Sequence, residues 1–143
     1  MNSIVIIVAI AVVAAVTAGE AFKAGSFPAP IVAAARAIAA QEGWGQPGAR
    51  PTRNNNPGDL RDWPPGFPRD AGGFTIFPDA ATGWSYLYRD VQAHLAANPA
   101  QSVADWIASY ADVAGAELDQ YAGAVAAALG IAPSDPLGSV TLG

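Results

Sequence analysis

Hydrophobic and polar positions are spread very unevenly along the 143-residue chain. From Ile4 to Val16 every residue is Ile, Val or Ala, and the run continues through Thr17 to Ala18 before Glu20 and Lys23. A helix over residues 3–19 is about 25 Å long at ~1.5 Å per residue, slightly short of a ~30 Å hydrocarbon core. Extension toward Ala24, or local thinning of the bilayer, closes that gap. No charge enters the run, as a hydrocarbon environment demands. The pattern predicts one N-terminal transmembrane helix, with residues 1–24 as an anchor that contacts the membrane through residues 4–18. A secretory signal is the competing reading, because Val16-Thr17-Ala18 offers small residues for cleavage. The stretch Met1-Asn2-Ser3 lacks the Lys or Arg of such a signal, so an uncleaved anchor is favoured.

After a short linker rich in Gly and Pro (residues 24–30), the spacing changes to that of amphipathic helices. Residues 30–42 combine strong helix formers with an apolar stripe at Ile31, Ala34, Ala35 and Ile38, ending at Glu42 and a Gly43 cap. Residues 43–72, rich in Pro and Gly, predict a long irregular connection of the kind that normally carries function. Gly73 to Phe77 alternates like a short strand, one arm of a small β-hairpin. Asp79 caps a helix with Trp84, Leu87, Tyr88, Val91 and Leu95 inward, and Asn98-Pro99 ends it. Ser102 and Asp105 resemble a capping box ahead of Val103, Trp106, Ile107 and Tyr110. A last helix over 117–129 buries Leu118, Tyr121, Val125 and Leu129 and stops at Gly130. The predicted architecture is α+β, mostly α, with one domain at residues 25–132 and a C-terminal tail at 133–143.

The net charge is −5, and the first twenty residues contribute only Glu20 to it. An acidic domain is a poor match to nucleic acid, whose binders present a basic face. The cluster Arg50, Arg53, Arg61 and Arg69 reads as a loop held by local carboxylates. The chain has no cysteine, which excludes disulfides and thiol nucleophiles. His94 is the only histidine, expected to be solvated or half-buried on a helix and not catalytic, and one histidine cannot build a multi-His metal site; no cofactor is expected either.

Chemistry concentrates in Glu42-Gly43-Trp44, Arg53-Asn54-Asn55-Asn56-Pro57-Gly58 and Asp59-Leu60-Arg61. A glutamate at the end of an Ala-rich helix packs its stem on apolar neighbours. Burial of its carboxyl disfavours ionisation, which suits a general acid near neutral pH. Trp44 is a candidate for the apolar wall. Asn54, Asn55 and Asn56 have two readings of equal weight: turn formation, or hydrogen bonds to sugar hydroxyls and N-acetyl groups.

The order of these segments, followed by Gly-Gly-Phe-Thr-Ile-Phe-Pro-Asp-Ala-Ala-Thr-Gly-Trp, Trp-Ile-Ala-Ser-Tyr-Ala and Tyr-Ala-Gly-Ala-Val, resembles a family of lysozyme-like domains. These occur in bacteriophages and prophages, including virion-associated proteins of phages with an internal membrane. The resemblance covers about residues 30–131, and its most specific part is Asn-Asn-Pro-Gly after a helix-end Glu. It implies that Glu42 is the catalytic acid and that Asn55, Asn56, Pro57 and Gly58 shape the cleft floor. It sets Phe77, Gly83 and Trp84 at the junction of hairpin and helix, and Tyr110 and Tyr121 on helices facing the cleft. The family more often has Asn at Asp59 and Pro at Asp112.

The expected substrate is the glycan strand of peptidoglycan, cut at the MurNAc–GlcNAc bond. Asn54, Asn55, Asn56, Tyr110 and Tyr121 are the expected substrate-binding residues. Asp59 is the leading second carboxylate, with Asp62 and Asp79 behind it. Glycosidases hold two carboxyls ~5–5.5 Å apart when retaining and ~6.5–9.5 Å apart when inverting. Lysozyme-like transglycosylases use one Glu and yield a 1,6-anhydro sugar, the route favoured for this chain. The expected location is a virion internal membrane, or a bacterial inner membrane with the domain facing the periplasm, with virion proteins as partners. The alternative function is a virion or membrane structural protein that keeps the fold and binds glycan or a partner.

Overall fold

The computed structural model describes residues 24–143, so the proposed membrane segment at residues 4–18 lies outside the described residues. Among the described residues, no helix is long and apolar enough to cross a membrane. The described chain is mostly helical. In order come α1 (Ala29–Glu42), a single turn α2 (Arg50–Arg53), α3 (Ala80–Ala97), α4 (Val103–Ala111) and α5 (Gly115–Leu129).

The predicted stripe of α1 is the innermost surface of the molecule: Ile31, Ala34, Ala35 and Ile38 are all fully buried. Pro30 lies in its first turn, where a missing N–H breaks no helical bond. The helix stops because Gly43 turns left-handed at φ 93°, and the Trp44 N–H then donates to the Ala39 carbonyl at 3.0 Å. Alanines on α1 let α5 and α3 approach it closely, and α5 also packs on α4. Val125, Leu87, Val91, Val103 and Ile107 fill the space between these helices without exposure.

Two caps form as the sequence indicates. The Asp79 side chain accepts from the Thr82 N–H at 2.7 Å, and that of Ser102 from the Asp105 N–H at 3.1 Å. The last helix begins at Gly115, two residues before its expected start. Leu118 is only partly buried in it, while Ala122 and Ala126 join Tyr121, Val125 and Leu129 inside. Residues 133–143, set apart in the sequence as a tail, dock on the start of α4. Ser102 bridges Pro136, Leu137 is 2% exposed, and the Leu137 N–H donates to the Gln101 carbonyl at 2.8 Å.

The expected hairpin is reduced to isolated antiparallel bridges, Arg61 with Phe74 and Arg69 with Thr75. The segment Gly73 to Phe77 is held from both sides, the Thr75 N–H bonding Leu60 and the Ile76 N–H bonding Pro68. Prolines at 64, 65 and 68 remove donors on the flanking chain, so no longer ladder can propagate. Phe77 of this segment stacks on Tyr86 of α3 with centroids 5.4 Å apart, and Phe67 closes edge-on over both rings. That aromatic cluster fixes the irregular connection to α3.

Candidate active site

Glu42 is the last residue of α1, and the reversal at Gly43 leaves its side chain free to project beyond the helix end. There it meets α5. The Tyr121 hydroxyl, on a side chain 3% exposed, donates to Glu42 Oε2 at 2.8 Å.

The second wall is the asparagine turn. Asn55 and Asp59 both adopt left-handed backbone, at φ 52° and 51°, a conformation that Asn and Asp tolerate. Asn56 is fully buried: its carboxamide donates to the Leu60 and Thr75 carbonyls and accepts from the Leu60 N–H, all within 2.9 Å. Asn54 donates to Asp70 and Asn55 to the Phe77 carbonyl. The turn is pressed against α3. A Cβ on Gly83 would lie 1.9 Å from the Asn55 carbonyl oxygen, and one on Gly58 would lie 2.5 Å from Leu87. Tyr110 of α4 adds a clasp by donating to the Gly58 carbonyl.

This turn brings Asp59 to the same recesses as Glu42, where its charge acts on the Glu42 carboxyl. Asp59 in turn is gripped by Arg50, whose Nε donates to both its oxygens at 2.9 and 3.1 Å while Nη2 binds one of them. The guanidinium also lies 3.5 Å above the Phe74 ring. The other loop arginines are tied locally: Arg53 to the Gly48 carbonyl, Arg61 to the Gly72 carbonyl and Arg69 to Asp62.

Burial is the main cause of a Glu42 pKa raised above the ordinary glutamate value. The Tyr121 hydrogen bond opposes it by favouring the anion, the Asp59 charge reinforces it, and Arg50 opposes it more weakly. The net effect favours the protonated form of Glu42 relative to an ordinary glutamate. Trp44, expected to wall the carboxyl, packs instead edge-on against Trp84 at 5.7 Å, so the dry surroundings come from α5, α4 and the turn.

Two recesses meet at this carboxyl. A larger one of about 450 Å³ includes Asp59, Trp63, Phe74, Asp90, His94 and Tyr110 in its lining. A smaller one of about 270 Å³ is bounded by Gln41, Pro51, Val113, Glu117 and Tyr121. Glu42, Arg50, Asp59 and Ala111 line both, so the two recesses adjoin at Glu42 as a groove open to solvent.

Of the residues singled out in the sequence, Glu42, Asp59, Tyr110 and Tyr121 come together at this groove. Asn54, Asn55 and Asn56 lie behind it, their amide nitrogens bonded within the fold. Asp62 and Asp79 line neither recess. Asp112 sits at φ 52°, a left-handed value closed to proline, and ends α4.

Two participants escaped the sequence reading. Arg50 was grouped with the loop cations, although it is the one that reaches the carboxyl pair. Asp90 is a groove-wall carboxyl on α3 whose pKa burial pushes up to about 6. Its position three residues after Leu87 and four before His94, on the edge of the apolar stripe, was the available signal. No family model matches the chain, and no curated protein or solved structure matches it.

Proposed function

We propose that the domain cleaves the MurNAc–GlcNAc bond of peptidoglycan, as a lytic transglycosylase in preference to a hydrolytic lysozyme. The observation that carries this reading is Glu42 itself, a carboxyl whose pKa burial raises, set where two open recesses meet and hydrogen-bonded by Tyr121. The resemblance of the segments around Glu42 and Asn54-Asn55-Asn56-Pro57-Gly58 to lysozyme-like domains supports the same choice.

Glu42 enters the cycle protonated and gives its proton to the glycosidic oxygen as the C1–O bond breaks. The departing sugar leaves with a hydroxyl. Glu42, now an anion, takes the proton of the 6-hydroxyl on the retained muramic acid, whose oxygen closes on C1. The product is a 1,6-anhydro sugar, Glu42 is again protonated, and no water is consumed.

Asp59 favours this route over hydrolysis. It borders the same recesses as Glu42, and its charge raises the Glu42 pKa. Its engagement by Arg50 further suits it to raising the Glu42 pKa and not to attacking carbon. Tyr110 and Tyr121 frame the groove, and the three asparagines hold its floor. The apolar run at residues 4–18 supports attachment to a virion internal membrane, or to a bacterial inner membrane with the domain facing the periplasm.

The test uses the full chain in detergent on purified peptidoglycan. Wild type releases soluble muropeptides with anhydro ends, identified by mass as one water lighter than reducing ends. Glu42→Gln releases none while keeping its circular dichroism spectrum. Equal release by both proteins removes Glu42 from the mechanism; binding without release by wild type favours a structural protein that only holds glycan or a virion partner.

A further inference from the structure

We propose that Asp90 is a sugar-positioning residue, accepting hydrogen bonds from an N-acetylhexosamine unit seated in the larger recess. This rests on the glycan-cleaving reading of the groove and assigns one carboxyl to its specificity.

Asp90 stands on α3, while Glu42 ends α1, yet both line the same recess. Among the described residues it has neither a hydrogen bond nor an ion pair, in contrast with Glu42 on Tyr121 and Asp59 on Arg50. Its neighbour one turn along, His94, does not satisfy it. The His94 Nε2 is 2.6 Å from Gln101 Oε1, and the ring lies stacked on Trp106 at 4.8 Å. A half-buried carboxylate without a partner is costly, and a ligand that supplies donors removes that cost. Vicinal hydroxyls and an acetamido N–H are such donors. The flat His94–Trp106 stack beside them forms a rigid rim to the recess.

Burial raises the pKa of Asp90 to about 6, so the carboxylate that accepts two donors is complete only above that pH. The other titratable or charged groups facing the recess are His94 on α3, Tyr110 and Asp112 at the end of α4, Glu42 on α1, and Arg50, Asp59 and Arg61 in the connection. Sugar binding favours ionised Asp90 and therefore releases a proton near pH 6.

The experiment measures binding of the N-acetylglucosamine tetramer to the full chain by calorimetry, with Glu42→Gln as the background that prevents turnover. Affinity rises about tenfold between pH 5 and pH 7.5 in this background, from the strength of charge-assisted hydrogen bonds. Added Asp90→Asn removes the rise and the proton release, while added His94→Gln keeps both. With Glu42 intact, Asp90→Asn raises KM for peptidoglycan about tenfold at pH 7.5 and leaves kcat within about twofold. Unchanged affinity, pH dependence and KM on Asp90→Asn overturn the proposal and leave the glycan-cleaving reading standing. Absence of both tetramer binding and muropeptide release overturns that reading, and the role of Asp90 with it.

Discussion

The Tyr121 hydroxyl donates to Glu42 Oε2 at 2.8 Å across a separation of 79 residues, and Asp59 acts on the same carboxyl with the opposite sign. The two neighbours therefore tune Glu42 in contrary directions. A donor to the anion favours ionisation, whereas a nearby negative charge disfavours it.

That opposition gives the first prediction. In the proposed mechanism, the alkaline limb of the lysis-against-pH profile follows loss of the Glu42 proton. Tyr121→Phe deletes the donor, so the Glu42 pKa rises and the limb moves to higher pH, with activity at the optimum down about tenfold from lost aim. Asp59→Asn deletes the charge, so the Glu42 pKa falls and the limb moves to lower pH. Asn accepts the left-handed backbone at position 59, and Arg50, with 42% of its side chain exposed, finds water in place of its partner. Profiles from peptidoglycan turbidity measure both limbs. Displacement of both in one direction contradicts the assigned roles.

The helices of this fold were readable because burial follows the helical period, as at Ile31, Ala34, Ala35 and Ile38, and because Asp79 and Ser102 are strong caps. Glu42 was readable because a carboxyl beside a Gly cap has few ways to point. Its partner was not, since Tyr121 follows the same stripe as Leu118 and Val125, and a periodic pattern does not say which buried hydroxyl ends beside which acid. Asn56 shows a second limit. Turn chemistry and sugar binding demand the same carboxamide, and only its burial beneath Leu60 and Thr75 assigns its bonds to the fold. Gly73 to Phe77 has the alternation of a strand, but the neighbouring prolines determine how far it pairs. Leu137 lay in a segment without periodicity and is buried where single backbone bonds, from Leu137 to Gln101 and from Gly138 to Pro99, dock the chain, a type of docking that leaves no repeating trace.

Asp90 supplies the second prediction, on stability. Its folded pKa of about 6 exceeds the ordinary aspartate value of 3.8 because burial penalises the charge. The folded state thus holds the proton more tightly than the unfolded chain. Its stabilising contribution is complete below about pH 4 and is lost as pH rises through about 6. Asn cannot ionise and escapes that loss. Asp90→Asn should match wild type in urea unfolding at pH 4 and exceed it above pH 7, by about 1–2 kcal/mol after allowance for groove water. A variant less stable than wild type at neutral pH would mean that the carboxylate is held by the fold itself.

The third prediction separates close packing from helix propensity at Gly83. In an exposed helix, replacing Gly by Ala stabilises by roughly 1 kcal/mol, since Gly is the more flexible residue. Here the added methyl carbon would lie 1.9 Å from the Asn55 carbonyl oxygen and 2.9 Å from Pro57. The first obstacle is backbone and cannot rotate aside, so α3 and the asparagine turn must part. Gly83→Ala is expected to destabilise by about 1–3 kcal/mol, the range for forced overpacking, despite its propensity gain. Because the same turn carries Asp59 to Glu42, lysis should fall further than the loss of folded protein accounts for, and the alkaline limb should shift toward lower pH as Asp59 withdraws. Urea unfolding and the pH profile on one preparation measure both effects. Stabilisation of Gly83→Ala with an unshifted profile would mean that the turn is not braced by α3, and the account of how Asp59 reaches Glu42 would fail at that contact.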